Sequence, residues 1–225
     1  MIYTYLLINL GLLVIPMLLA LNRRVSVFSS GLATGAAILA PAILFFIFSF
    51  VFNQFGIWQF NPERVLGIYF GQLPVEELLF YVTLPLAGLS VYRYLNVVFP
   101  NNELDKFSLS LSNLILGICV AMLFFTYTRW YSVVTFSVLF ILLLYIEYLN
   151  KIRFMYRFYR AYVVALIPFY VVYGLLTSLP VLTYSDAGLM KLKIGTIPFE
   201  THFYFMGMLL LTVYVFEWVQ RKANS

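Results

Sequence analysis

Charge is scarce in this chain. Asp, Glu, Lys and Arg together make up 10% of its 225 residues, while 63% are hydrophobic. Mean hydropathy is +0.94. A soluble domain covers its surface with polar side chains, and so few cannot do that; a bilayer solvates an apolar exterior instead. Cysteine is nearly absent. A lone Cys119 excludes an internal disulfide and makes no metal site, so it reads as a small buried hydrophobe. No glycine-rich dinucleotide fingerprint and no phosphate loop occurs. The net charge of +5 forms no basic stripe interleaved with exposed aromatics, which argues against nucleic acid as a partner. The first segment lacks a basic n-region, is too long for a secretory h-region and runs into Asn22-Arg23-Arg24, so it is not read as a cleaved signal.

Long apolar runs are abundant. A span needs about 18 residues or more, and seven stretches qualify: roughly 2–21, 27–54, 73–95, 110–128, 132–149, 159–180 and 197–219. The expected fold is therefore an all-α polytopic membrane protein of about seven transmembrane helices, with the second span long enough to tilt or to end at the interface. Seven spans make the loops alternate. Arg23, Arg24, Arg93, Lys106, Lys151, Arg153, Arg157, Arg160, Arg221 and Lys222 fall on one side, and Arg64, Arg129, Lys191 and Lys193 on the other. This ten-to-four split of the 14 basic residues predicts a cytoplasmic C-terminus, an external N-terminus and a place in the cell membrane. Trp58, Trp130 and Trp218 near span ends fit an interfacial belt.

The chain repeats itself. Gly71-Gln72-Leu73-Pro74-Val75-Glu76-Glu77-Leu78-Leu79-Phe80-Tyr81 aligns without a gap to Gly195-Thr196-Ile197-Pro198-Phe199-Glu200-Thr201-His202-Phe203-Tyr204-Phe205, at an offset of 198 − 74 = 124. Pro41 and Pro168 lie inside preceding spans at a similar spacing. The plan is a first three-helix repeat over 1–108, a linking helix over 109–130 and a second three-helix repeat over 131–225. One intervening helix leaves the two triplets parallel, related by an axis near the membrane normal. Both Pro-x-Glu motifs then sit at one depth, able to face each other.

Proline is tolerated in the first helical turn, where its missing N–H has no partner to lose. Two residues on, Glu76 and Glu200 meet unpaired backbone donors and the positive end of the helix dipole. That alone describes a cap. An ionisable residue inside a membrane helix is costly, however, and two at matched depth point to function. Glu76 shares a helix face with Phe80, Glu77 with Tyr81 and Glu200 with Tyr204. A carboxyl among aromatic rings in a low-dielectric site favours its neutral, proton-donating form, and the ring faces can stabilise a nearby cation. His202, the single histidine, lies two residues from Glu200 and reads as a polar contact. Glu147 with Lys151, and Glu217 with Arg221, read as ordinary ion pairs four residues apart. Glu63 and Asp186 read as solvated loop residues.

In Pro74-Val75-Glu76-Glu77 through Tyr81 and in Ile197-Pro198-Phe199-Glu200 through Tyr204, the chain resembles the small membrane lycopene cyclases of the heterodimeric type, here with both repeats in one polypeptide. The resemblance covers size, span number, tandem repeat and both motifs. It implies a lycopene β-cyclase, an isomerase that closes the linear ends of lycopene to γ-carotene and then β-carotene without redox change. Glu76 and Glu200 would serve as acid and base, with Glu77 assisting. Phe80, Tyr81, Phe203 and Tyr204 would contact the substrate, with Pro74 and Pro198 shaping the motifs. Glu76→Gln and Glu200→Gln are expected to abolish turnover. Thr201 stands where the first motif has Glu77, making the two motifs chemically unequal. Neither a metal nor an organic cofactor is expected. The partners the resemblance implies are a linear carotenoid and membrane lipid. Two other readings compete: a small-solute transporter with three-one-three parallel repeats, and a non-catalytic membrane scaffold.

Overall fold

The computed structural model describes residues 2–22, 31–101, 105–150, 152–186 and 188–223. Seven α-helices dominate it: α1 (Thr4–Ala20), α2 (Gly31–Gln54), α3 (Val75–Val98), α4 (Ser108–Phe125), α5 (Trp130–Leu144), α6 (Met155–Ser178) and α7 (Phe199–Ala223). Each lies within one of the seven apolar stretches or overruns its ends by a few residues. Six, counting the turns that extend α4 and α5, are long and apolar enough to cross a membrane, and α1 is slightly shorter at 17 residues. The protein is thus an all-α polytopic membrane protein. Residues 27–30 of the second stretch, with Arg23, Arg24 and Lys151, lie outside the described residues.

The helices are arranged by a pseudo-two-fold relation between α1–α3 and α5–α7. Helices α3 and α7 are the most enclosed spans and run side by side at the centre. Each is covered by the first helix of its own triplet, α1 on α3 and α5 on α7, and by the middle helix of the other, α6 on α3 and α2 on α7. The triplets are therefore interlocked. Helix α4 packs mainly on α5 and is the least buried.

Short strands close the motif end of the bundle. After α2 comes β1 (Trp58–Phe60), and after α6 comes β4 (Leu182–Tyr184); they pair antiparallel as Trp58 with Tyr184, Gln59 with Thr183 and Phe60 with Leu182. Since 183 − 59 = 124, the central pair joins equivalent residues, so the pseudo-axis passes between them. The amides of Asn61 and Ser185 extend the pairing by donating to Val181 O and Ile57 O at 3.0 and 2.7 Å. Two matching hairpins lead into the central helices: β2 (Tyr69–Phe70) with β3 (Leu73–Pro74), and β5 (Lys193–Ile194) with β6 (Ile197–Pro198). Their two-residue turns begin with Gly71 at φ 65° and Gly195 at φ 63°. A tight hairpin needs positive φ at that place, which glycine adopts without penalty.

Alanine at either glycine should therefore destabilise by about 1–2 kcal/mol through backbone strain. A Cβ on Gly71 would also sit 3.1 Å from the Phe50 ring, whereas Gly195 has open space. Thermal unfolding in detergent is expected to show the larger loss for Gly71→Ala; equal losses would rule out the steric contribution.

Several local expectations change in three dimensions. Pro74 stands just before α3, as its cap in the β3 pairing, so Glu76 is the second helical residue rather than the third. Trp58 is no belt residue: it is buried in β1 against Phe52 and Tyr131, while Trp130 and Trp218 are exposed. Glu217 does not rely on Arg221. It accepts from the Tyr92 hydroxyl at 2.5 Å and lies 3.7 Å from Arg157, tying α7 to α3 and α6. Helix α5 ends in a π-helical turn (Tyr145–Leu149), which buries Glu147. There it accepts from Ser112 and lies 3.8 Å from Arg153. Long-range packing offers these carboxylates partners that sequence spacing does not display. Glu63 and Asp186 are exposed, as expected.

Candidate active site

Each motif delivers its first glutamate to the loop before it. Glu76 Oε1 accepts from the Leu66 amide at 2.6 Å, and Glu200 Oε1 accepts from the Met190 amide at 2.6 Å. Both bonds span ten residues and are equivalent at the offset of 124. Glu200 Oε1 also accepts from the Ser132 hydroxyl at 2.7 Å. Each carboxyl is almost fully buried, and Oε2 of each has no protein partner among the described residues. These glutamates therefore stitch the outer loops to the heads of α3 and α7.

Glu77 is placed differently. It is 4% exposed and faces the interior between α1, α2 and α3. The Ser49 hydroxyl donates to Oε1 at 2.8 Å, and the Tyr5 hydroxyl donates to Oε2. Helix α1 is fixed for this by Asn9, which donates to Glu76 O at 3.1 Å and accepts from Thr83 at 2.9 Å. At the matching place in α7, Thr201 receives the Tyr131 hydroxyl at 3.2 Å. Tyr5 and Tyr131 thus play equivalent parts, but a carboxyl is present on one side only.

A continuous group of rings surrounds Glu77 and crosses the pseudo-axis. Phe80 lies 5.9 Å from Tyr5, 6.0 Å from Tyr81 and 5.6 Å from Tyr173, centroid to centroid. The hydroxyls of Tyr81 and Tyr204 meet at 3.3 Å. Tyr204 packs 4.8 Å from Phe45, 5.5 Å from Tyr131 and 6.1 Å from Trp58. Most of these contacts are tilted or edge-to-face, as ring quadrupoles prefer. Tyr184 closes the outer side against Trp58, and its burial pushes the phenol above its ordinary range.

Of the residues singled out by sequence, Glu77, Phe80, Tyr81 and Tyr204 come together. Phe203 does not; it packs on Phe136 and Phe199. His202 contacts its own helix at Phe199 O, 3.1 Å away, and the Phe169 and Tyr170 rings. Tyr5, Ser49, Tyr131 and Tyr173 belong to the site without carrying any motif. The described residues hold no group of three His, Cys, Asp or Glu side chains suited to a metal ion.

No curated protein and no solved structure matches the chain. A family model described as lycopene cyclase matches residues 2–95 and 128–219, the two triplets in turn, leaving out the region of α4. With the match covering well over half of the sequence, the chain belongs to the lycopene cyclase family.

Proposed function

We propose that this protein is an intramembrane lycopene β-cyclase in which Glu77 is the proton donor. The observation that carries this reading is a buried carboxyl, held by Tyr5 and Ser49, under a wall of aromatic faces. In the proposed reaction the Glu77 O–H bond breaks and a C–H bond forms at a terminal double bond of lycopene. The resulting tertiary cation is attacked by a second double bond, forming the ring C–C bond and moving the positive charge into the ring. Loss of a ring proton to the waiting carboxylate restores both the alkene and the acid. Protons and electrons balance, so the cycle consumes no reductant. Phe80, Tyr81, Tyr173 and Tyr204 supply ring faces for the cation. Each contact gains strength where water is excluded.

The basic-residue bias further supports placing the motif end on the external face of the cell membrane. A transporter must open one end and then the other. Here β1 pairs with β4 across the motif end, while Arg160 binds Leu95 O, Phe99 O and Asn96 at the other. Both features favour an enzyme that keeps its shape.

Expression in bacteria that accumulate lycopene is expected to convert the pigment to mono- and bicyclic carotenes. Membranes incubated in heavy water should add up to one deuterium for each ring closed, the fraction being set by how far the Glu77 acid exchanges with solvent between turnovers. Unchanged lycopene with the protein present in the membrane would overturn the proposal, as the transporter and scaffold readings require.

A further inference from the structure

An apolar groove of about 810 Å³ runs along α3 between α1 and α6. Its walls include Ile8, Leu12 and Ile15 of α1 with Pro168, Val172 and Leu175 of α6. It extends from Thr4 to Leu19 on one wall and from Leu179 to Val164 on the other. Fifteen residues of helix are about 22 Å, so the groove is long, narrow and aligned with the spans. Its polar lining is confined to Thr4 and to Arg64 near the motif end. Such a surface cannot satisfy a hydrophilic solute.

The pseudo-two-fold relation supplies a built-in comparison. The equivalent position lies along α7 between α5 and α2, and it is filled. Phe45, Phe48 and Phe203 pack there with Val134 and Val138, leaving only a small residual gap. The open groove accompanies the helix that carries Glu77, and the filled one accompanies the helix with Thr201. Two independent asymmetries thus fall on the same side. At the groove's motif end, the lining residues Thr4 and Ile8 flank Tyr5, and the lining residue Val172 precedes Tyr173. Tyr5, Phe80 and Tyr173 form one ring-to-ring wall between the groove and Glu77.

The geometry points to this groove as the seat of the linear polyene, which lies along α3 with one end at the Tyr5–Phe80–Tyr173 wall. This rests on the cyclase reading above and adds the seat from which the end of a C40-class hydrocarbon meets the rings that cover Glu77. A lipid chain would need no acid beside its seat and would leave no reason for only one of two equivalent grooves to be kept open. Gly11 lines the groove, and a Cβ added there meets nothing within 4 Å. A larger side chain at that position therefore starts into open groove space.

The test uses the full chain carrying Glu77→Gln, purified from lycopene-accumulating bacteria so that bound polyene is not consumed. Lycopene co-purifying with the protein is read from its visible absorbance. Adding Gly11→Phe is expected to lower it about tenfold or more. Adding Val120→Phe, on the exposed face of α4, a helix that contributes no residue to the groove, is expected to leave it unchanged. In the chain with Glu77 intact, Gly11→Phe should raise KM more than it lowers kcat. If Gly11→Phe fails to accumulate in the membrane, Val171→Trp on the opposite wall makes the same test. Retention unaffected by either filling variant, or lost phospholipid in place of lost lycopene, would overturn the inference. Retention no greater than on an unrelated membrane protein would do the same. Cyclic carotenes bound to the Glu77→Gln chain would instead count against Glu77 as the acid, and total carotenoid retained would still judge the groove.

Discussion

Glu77→Gln is expected to abolish cyclisation, lowering turnover about a thousandfold or more, while the protein still reaches the membrane and unfolds at nearly its normal temperature. General acids at positioned sites contribute about 10²–10⁴ in rate, and in the proposed reaction protonation starts the sequence. Glutamine keeps the shape of the side chain and an oxygen for one of the hydroxyls of Tyr5 and Ser49, so the three-helix junction survives. It has no proton to give to an alkene. Two companion variants sharpen the expectation. Glu77→Asp retains the acid but draws it back from the wall of rings, so partial activity should remain. Tyr5→Phe leaves the acid in place and removes one hydroxyl; it should reduce kcat by a smaller factor and leave lycopene retention intact. Turnover is measured as cyclic carotene formed per mole of membrane protein, with thermal unfolding in parallel. A Glu77→Gln protein that still forms rings would sink the assignment of Glu77.

The spans and the repeat were legible because both are periodic signals in a single chain. Apolar runs mark the helices, and an ungapped offset of 124 relates one motif to the other through residues such as Gly71 and Gly195, whose positive φ the hairpins require. The site was only half legible. Glu77, Phe80 and Tyr81 lie in one motif, but the groups that hold Glu77 come from 72 and 28 residues away, at Tyr5 and Ser49. In a chain with 18 tyrosines, nothing marks Tyr5 as special until α1 is seen lying on α3. The unequal pair Glu77 and Thr201 was visible, yet its meaning depended on a groove whose two walls come from different triplets. Local spacing also misdirected the ion pairs. Glu217 has Arg221 four residues away but binds Tyr92 and Arg157, because helix packing brings those to the half-buried carboxylate.

Glu76 and Glu200 provide the second strong expectation, since their geometry separates two roles that the motif alone leaves merged. An acid or base loses its function on conversion to glutamine. A loop anchor does not, because the amide oxygen of glutamine can accept from Leu66 or Met190 as the carboxylate does. Glu76→Gln and Glu200→Gln should therefore keep turnover within about tenfold of the parent, far above Glu77→Gln. Alanine removes the acceptor altogether and leaves an amide without its partner, at about 1–3 kcal/mol. Glu76→Ala and Glu200→Ala should accordingly lower the unfolding temperature, with the double variant close to the sum because the two loops belong to different triplets. Glu200→Ala should lose somewhat more, as the Ser132 hydroxyl is orphaned with it. If Glu200→Gln proved as inactive as Glu77→Gln while remaining stable, the unpartnered Oε2 of Glu200 would take the place of base, and catalysis would span the pseudo-axis. The ordering of the glutamine and alanine variants, activity against stability, decides whether the repeated Pro-x-Glu is a catalytic pair or a pair of fasteners around a single acid.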